Sequence, residues 1–234
     1  MSDIFQFKHF AIKQDICAMK VGTDGVLLGA WTKAPNGNVL DIGCGSGLIS
    51  LMVAQRNPNT NIDAIDVDHN AFLQTTENIA NSNWNKAIKP HHTSLQNFNS
   101  PYKYQLIVSN PPFFVNATKS ANNSKNIARH TDELSFNELL FHVSKLLEIN
   151  GIFSVILPIT EEIEFCKVGS VHELFLNRIC YVKPNLKKEP KRILMEFSLT
   201  NTPVITESLT IETEKRHHYT EEYRNLTQDF YLHF

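Results

Sequence analysis

Asn110-Pro111-Pro112-Phe113 is the stretch of this sequence whose residue types say most about chemistry. The side-chain oxygen of Asn110 and the carbonyl of Pro111 offer two acceptors to the two N–H bonds of a planar, conjugated amine. Holding such an amine at both bonds aims its lone pair at an electrophile, which is what a weak nucleophile needs. The prolines stiffen the loop and withhold N–H donors, so that its carbonyls are left as acceptors. Phe113 supplies an aromatic face for the ring that carries the amine. An Asn-Pro-Pro turn taken alone is also an ordinary loop after a strand, and its weight depends on what lies upstream.

Upstream, Val39-Leu40-Asp41-Ile42-Gly43-Cys44-Gly45-Ser46-Gly47 sets glycines at alternate positions between an apolar run and a helical-period segment. Missing Cβ atoms there let the backbone turn sharply and approach a ligand. The dinucleotide fingerprint GxGxxG would put its last glycine at position 48, where this chain has Leu48, so a nicotinamide dinucleotide is disfavoured. Asp66 ends the next apolar run, where this geometry carries an acid that hydrogen-bonds ribose hydroxyls. S-adenosylmethionine (SAM) presents such a ribose, together with an activated methyl group on a sulfonium. Asp41 is placed either to accept from the cationic amino-acid end of SAM or to fix the loop by bonding backbone N–H groups. With such a donor no strong general base is required, and alignment and charge placement supply most of the rate. Adenine N6, guanine N2 and glutamine amides are all planar NH₂ groups that suit the tetrapeptide, which gives reaction type rather than substrate.

The elements that must position these residues follow from apolar runs alternating with helical-period segments, the pattern of helices packed on a mainly parallel sheet. Strands are predicted at Asn38–Ile42, Ile62–Val67, Ala87–His91, Tyr104–Ser109 and Ile152–Leu157, with a hairpin-like ending from Arg178–Val182 and Ile193–Thr200. Helices are predicted from Leu48 to Gln55, from His69 to Ala80 with Asp68 as its cap, after Ser135 up to Asn150-Gly151, and from Glu161 to Lys167. The expected fold is α/β, a Rossmann-like seven-stranded, mainly parallel sheet with helices on both faces, formed by one domain over residues 1–234. A short N-terminal hairpin or helix addition is expected over about 1–35, from the alternation of Phe5, Phe7, Phe10 and Ile12, and a C-terminal helix over about 219–230.

Composition bounds the class. Hydrophobic residues at 42% and charged residues at 20% are those of a soluble globular protein, and no apolar run is long enough for a membrane span. The N-terminus reads as neither a secretory signal nor a transit segment, so a cytoplasmic location is expected. Cys17, Cys44, Cys166 and Cys180 show no CxxC pair or ligand spacing, and His91-His92 and His217-His218 have no third ligand spaced with them, so no metal is expected. The net charge of −2 gives no overall attraction to a polyanion. Any nucleic-acid contact must come from a local cluster, and Lys183, Lys187, Lys188, Lys191 and Arg192 form one. Arg129, after the polar stretch Asn116 to Asn126, is a further candidate.

The flanks are more particular. Phe5-x-Phe7-Lys8 leading to Cys17-Ala18-Met19-Lys20-Val21-Gly22-Thr23-Asp24-Gly25-Val26-Leu27-Leu28-Gly29-Ala30-Trp31 resembles the bacterial valine-tRNA adenine-37 N6-methyltransferase family, within the class I methyltransferases. So do Glu189-Pro190-Lys191-Arg192 and Tyr219-Thr220-x-x-Tyr223-x-x-Leu226-Thr227-x-x-Phe230-Tyr231-Leu232, and the resemblance covers essentially the whole chain. It implies SAM as donor and, as substrate, the adenine next to the anticodon of a valine tRNA. It carries Asp41, Gly43, Cys44, Gly45, Gly47, Asp66 and Val67 over as SAM site, joined by Asn110, and Asn110 to Phe113 as catalytic site. Lys20, Thr23 and Asp24 would then sit near the methionine end of SAM. Ser94, followed by Leu95, stands where such enzymes usually carry an Asp for the SAM adenine; a hydroxyl accepts that hydrogen bond more weakly. Phe113 replaces the Tyr of some members, with stacking kept.

Guanine N2 in ribosomal RNA and a release-factor glutamine are the enzymatic alternatives, and those relatives usually bring a larger extra domain. A non-catalytic SAM- or RNA-binding module is the alternative from another class; it would have little need of two amine acceptors beside a donor site.

Overall fold

The computed structural model describes residues 3–111 and 134–233. Pro112, Phe113 and Arg129 lie outside the described residues. An antiparallel pair, β1 (Ile4–Gln6) and β2 (Ala11–Lys13), comes first, followed by α1 (Thr23–Trp31). Then come β3 (Gly37–Ile42), α2 (Leu48–Arg56), β4 (Thr60–Asp66), α3 (His69–Ala80), β5 (Ile88–His92) and β6 (Tyr104–Ser109). The second half comprises α4 (Phe136–Leu146), β7 (Leu147–Pro158), α5 (Glu162–Val171), β8 (Phe175–Asn185), β9 (Arg192–Ser198), β10 (Ile205–Glu212) and α6 (Glu221–Thr227).

The main sheet has eight strands in the order β10-β8-β9-β7-β6-β3-β4-β5, and only β9 runs against the others. Successive residues of a strand enter different cores. Val39, Val108 and Ile156 face α1 and α2, whereas Leu40, Ile107 and Val155 face α4 and α5. Burial on both faces is why these strands read as unbroken apolar runs rather than as alternation. The starts of α3 and α4 are fixed by side chains: Asp68 accepts from the Ala71 N–H at 2.8 Å, and Ser135 and Glu138 form a reciprocal capping box. Among the described residues no helix is long and apolar enough to cross a membrane.

The expected seven strands become eight because β10 escapes the sequence pattern. Its inward series Glu207, Leu209, Ile211 opens on an acid, and Ile205 before it is exposed. Glu207 is held there by Arg178 at 3.0 Å and by the Trp31 indole N–H at 3.1 Å, and the Arg178 guanidinium lies 4.0 Å from the Trp31 ring centre. Nor does Asn150-Gly151 close a helix. The helix ends at Leu146, and β7 begins at Leu147 with a register shift opposite Tyr104 and Leu106. A Cβ on Gly151 would stand 2.7 Å from the Tyr104 carbonyl oxygen, so the glycine answers to a close strand approach. Helix α1 carries little helical signature because Gly25 through Trp31 are all buried; Gly29 lies so close to Met52 that a Cβ would come within 2.6 Å of its sulfur.

The chain ends meet. The Lys8 N–H donates to the Phe230 carbonyl at 2.8 Å, the Lys8 ammonium to the Gln228 carbonyl at 2.6 Å, and Phe7 stacks on Tyr231.

Candidate active site

The order of the sheet reverses between β3 and β6: β4 and β5 extend to one side and β7 to the other. Ligands of open α/β sheets bind at that point, beyond the carboxyl ends of the strands. A cleft of about 510 Å³ lies there, its walls including Gly43, Gly45, Asp66, Ser94, Asn110 and Pro111. Val67 and Leu95 also line it. A second cleft, of about 580 Å³ between His9, Gln55, Arg56, Trp84 and Asp229, contains none of the residues singled out for chemistry.

The glycine turn forms one wall. Gly43 and Gly45 have φ of +70° and +59°, a region where a Cβ is strained. A Cβ on either would meet nothing within 4 Å, so the space in front of their backbone is open. The Gly43 and Cys44 N–H groups donate to the Ile65 carbonyl at 2.9 and 3.1 Å, and the Gly45 N–H donates to Asp66 Oδ2 at 2.9 Å. Asp66 Oδ1 accepts from the Asp68 N–H at 2.9 Å, which fixes the carboxylate at the lip of β4. Burial raises the Asp66 carboxyl above the ordinary carboxylate range.

Asp41 and Asn110 each leave an acceptor unmet. Asp41 is fully buried; its Oδ2 accepts from the Ser50 N–H at 3.1 Å and the Ser50 hydroxyl at 2.6 Å, pinning the first turn of α2 to β3. Of the two roles open from sequence, bonding the loop is the one these contacts fill. Asp41 Oδ1 and Asn110 Oδ1 are both out of reach of water without a hydrogen-bond partner. A buried acceptor left unpaired costs about 1–3 kcal/mol, which an incoming N–H donor recovers. An open glycine turn, a ribose-type acid at the next strand end and the unmet acceptor of Asn110 are the features SAM and an amine would complete, so the residues at the cleft fit both.

The remaining expected residues are placed differently. Gly47, at φ +80°, caps α2 against Thr75, and Cys44 is buried with its sulfur 3.5 Å from the Thr75 hydroxyl; burial pushes that thiol far up. Lys20 stands 3.8 Å from Asp3. Asp24 and Arg192, expected at SAM and at RNA respectively, bind each other at 2.8 Å. This pair ties the start of β9 to the first turn of α1, where a Cβ on the adjacent Gly25 would come within 4.0 Å of Asn110 Nδ2. Neither these five nor Thr23, the other residue expected near the methionine end of SAM, line the cleft. Because both partners of the Asp24–Arg192 pair keep some exposure, a double-mutant cycle with alanine at each is expected to give a coupling of about 0.5–1 kcal/mol in denaturant unfolding. No coupling would mean that the hairpin is held by other contacts.

Sequence reasoning missed Cys17, Ala18 and Met19, together with Gln96 and Leu134, all of which line the cleft. Residues 17–19 open the N-terminal stretch in which the family resemblance is read, so that signal was at hand. Gln96 and Leu134 carry none. The histidine pairs divide their partners: His91 bonds Asp63 at 2.6 Å, whereas His92 bonds the Val67 carbonyl at 3.1 Å.

Comparison with known proteins agrees with this geometry. Residues 19–145 match the family model of the methyltransferase small domain. The chain is 44% identical over 229 residues to the tRNA1(Val) (adenine(37)-N6)-methyltransferase of Pseudoalteromonas translucida, covering 97% of this chain and 98% of the relative. It is 43% identical to the protein of the same name from Christiangramia forsetii, with 97% of each chain covered. Among solved structures, a "predicted O-methyltransferase" from Agrobacterium tumefaciens superposes with a TM-score of 0.70 at 13% identity, over 88% of this chain and 96% of that one. Geranyl diphosphate methyltransferase bound to sinefungin gives a TM-score of 0.54 at 9% identity, over 75% of each chain. At those identities the likeness is one of fold, an α/β methyltransferase sheet. Near-full-length similarity above 40%, on a chain that carries the glycine turn and the Asn-Pro pair at one cleft, has a single reading: the chain belongs to the tRNA1(Val) (adenine(37)-N6)-methyltransferase family.

Proposed function

We propose that this protein transfers a methyl group from SAM to the exocyclic N6 amine of adenine 37, beside the anticodon of a valine tRNA. The observation that carries the chemistry is the unpaired, buried Oδ1 of Asn110 at the cleft, next to the Pro111 carbonyl. Bound SAM supplies the methyl group as an electrophile on sulfur. Asn110 Oδ1 and the Pro111 carbonyl accept the two N–H bonds of the adenine amine and turn its lone pair toward that methyl. The amine proton leaves to water after transfer, so no buried base is needed. Gly43 and Gly45 let the donor lie on the backbone, Asp66 accepts from ribose, and Ser94 with Leu95 edges the adenine of SAM. Pro112 and Phe113 complete the acceptor loop in this reading, Phe113 by stacking on the target base.

The base must leave its stack to reach the cleft. Lys183, Lys187, Lys188 and Lys191 on the β8–β9 hairpin supply phosphate contacts while it does so, with Arg129 as a further contact. The hairpin closes at the carboxyl edge of the sheet, the edge on which Asn110 lies. The chain acts as one methyltransferase domain in the cytoplasm, where its substrate is.

Purified protein incubated with labelled SAM and total unmodified tRNA, followed by nucleoside analysis and mapping, tests the reading. N6-methyladenosine is expected at position 37 of one valine tRNA. Label in ribosomal RNA or in protein would keep the methyl transfer and overturn the substrate, and SAM binding with no transfer would leave a binding module.

A further inference from the structure

β10, the strand absent from the sequence pattern, brings a second basic segment to the reactive edge of the sheet. It pairs in parallel with β8, so the turn that follows Glu212 emerges beside the β8–β9 hairpin. That turn carries Lys215, Arg216 and His217, all exposed. The Lys187 ammonium of the hairpin lies 3.7 Å from Glu214, so the two loops touch. The turn is also held: the Thr213 N–H donates to the His218 carbonyl at 2.7 Å, the His218 N–H to the Lys215 carbonyl at 3.2 Å, and the His217 N–H to Glu212 Oε1 at 2.9 Å. A fixed backbone presents its cations without a large ordering cost.

From these placements we infer that the turn Glu214–His218 is a second phosphate-contact surface for the RNA substrate, with Lys215 and Arg216 as its cations. The inference rests on the reading that the protein methylates tRNA. Strands lie about 4.8 Å apart, so β8 is about 14 Å and β10 about 19 Å across the sheet from β6 and Asn110. An RNA whose target base enters the cleft therefore runs its backbone past the hairpin first and the turn second. Glu214 and Glu189 are the acids within these two segments, set among Lys183, Lys187, Lys188, Lys191, Lys215 and Arg216, and the excess gives the edge a local positive field despite the protein's net charge of −2. Because the turn is remote from the cleft, it adds affinity for the RNA and none for SAM.

Salt-dependent binding to unmodified valine tRNA separates the outcomes, with wild type compared with Lys215→Glu/Arg216→Glu and with the milder Lys215→Ala/Arg216→Ala. Losing two phosphate contacts flattens the slope of log affinity against log salt by about 1.5. The charge-reversed protein should show that change together with a raised KM for tRNA, and an unaltered calorimetric Kd for SAM, which also reports that it is folded. Wild-type methylation of tRNA with slope and KM unchanged in both variants overturns the inference alone. A wild-type protein that transfers no methyl to any tRNA overturns the functional reading, and this inference with it.

Discussion

Asn110→Ala is expected to lower the rate of methyl transfer by about a hundred- to a thousand-fold while leaving SAM affinity within a few-fold of wild type. The size follows from what the amide does. Conjugation withdraws the adenine lone pair into the ring, and attack requires the amine to be held with that pair pointing out of the ring plane. Two acceptors fix this geometry; one holds it less firmly. In the folded protein Asn110 Oδ1 is already desolvated and unpaired, so part of the cost of arranging it is met before the substrate arrives. Asn110→Asp is the sharper variant, because it keeps the acceptors and changes the charge beside a cationic donor. Single-turnover rates with saturating tRNA, set beside calorimetric SAM affinity, make the measurement. Substantial turnover by Asn110→Ala would show that Pro111 and ring stacking suffice, and would remove Asn110 from the mechanism.

The second large effect concerns stability and pH. Burial pushes the Asp41 carboxyl up to about 6 from an ordinary value of 3.8, opposed by its bonds to Ser50 and assisted by the negative Asp66. A carboxyl raised on folding makes the folded state hold a proton that the unfolded chain has released. The contribution is therefore fully present below about pH 4 and is lost as pH rises through about 6. At pH 7.5 the ionised group stands as a cost on the order of 2–3 kcal/mol relative to its protonated form. Asp41→Asn cannot ionise, so the stability of this variant relative to wild type is expected to improve by roughly that amount between pH 4 and pH 7.5. Denaturant unfolding of both SAM-free proteins across that range reads the difference directly. Parallel stability curves would mean that water or a rearranged side chain solvates Asp41. A gain of the expected size would mean that the wild-type residue retains a charge that weakens the SAM-free protein, as a group kept for a cationic ligand or for the α2 turn would.

Much of this site was legible because its signals are local. Glycines at 43, 45 and 47 announce their backbone, Asp66 announces itself by ending an apolar run, and Asn110-Pro111 by directly following one. All but Gly47 of these line the cleft, and Gly47 builds the turn behind it. Asp68 and Ser135 were likewise readable as caps, since a cap is a relation between neighbours in sequence. What stayed hidden is relational over distance. Glu207 reads as an interruption until Arg178 and Trp31 are brought to it, and with it β10 disappears from the pattern. Asp24 and Arg192 each look like ligand contacts, and only the fold reveals that they meet. The wall formed by residues 17–19 belongs to no regular element, so periodicity could not show it.

The junction of the chain ends has a consequence in time. Synthesis delivers the sheet strand by strand, and β1 and β2 emerge before it. Yet the carbonyls that Lys8 binds and the ring that covers Phe7 belong to residues 228–231. Helix α6, also at that end, packs against α1, whose Gly25 adjoins Asn110. A nascent chain still tethered to the ribosome can complete the glycine turn and the first five strands of the sheet while Phe7 still lacks the Tyr231 ring. Until residues 228–231 are made, Lys8 lacks the carbonyls it binds and Phe7 the ring it stacks on, and until α6 is made α1 lacks one of the helices packed against it beside the amine acceptor.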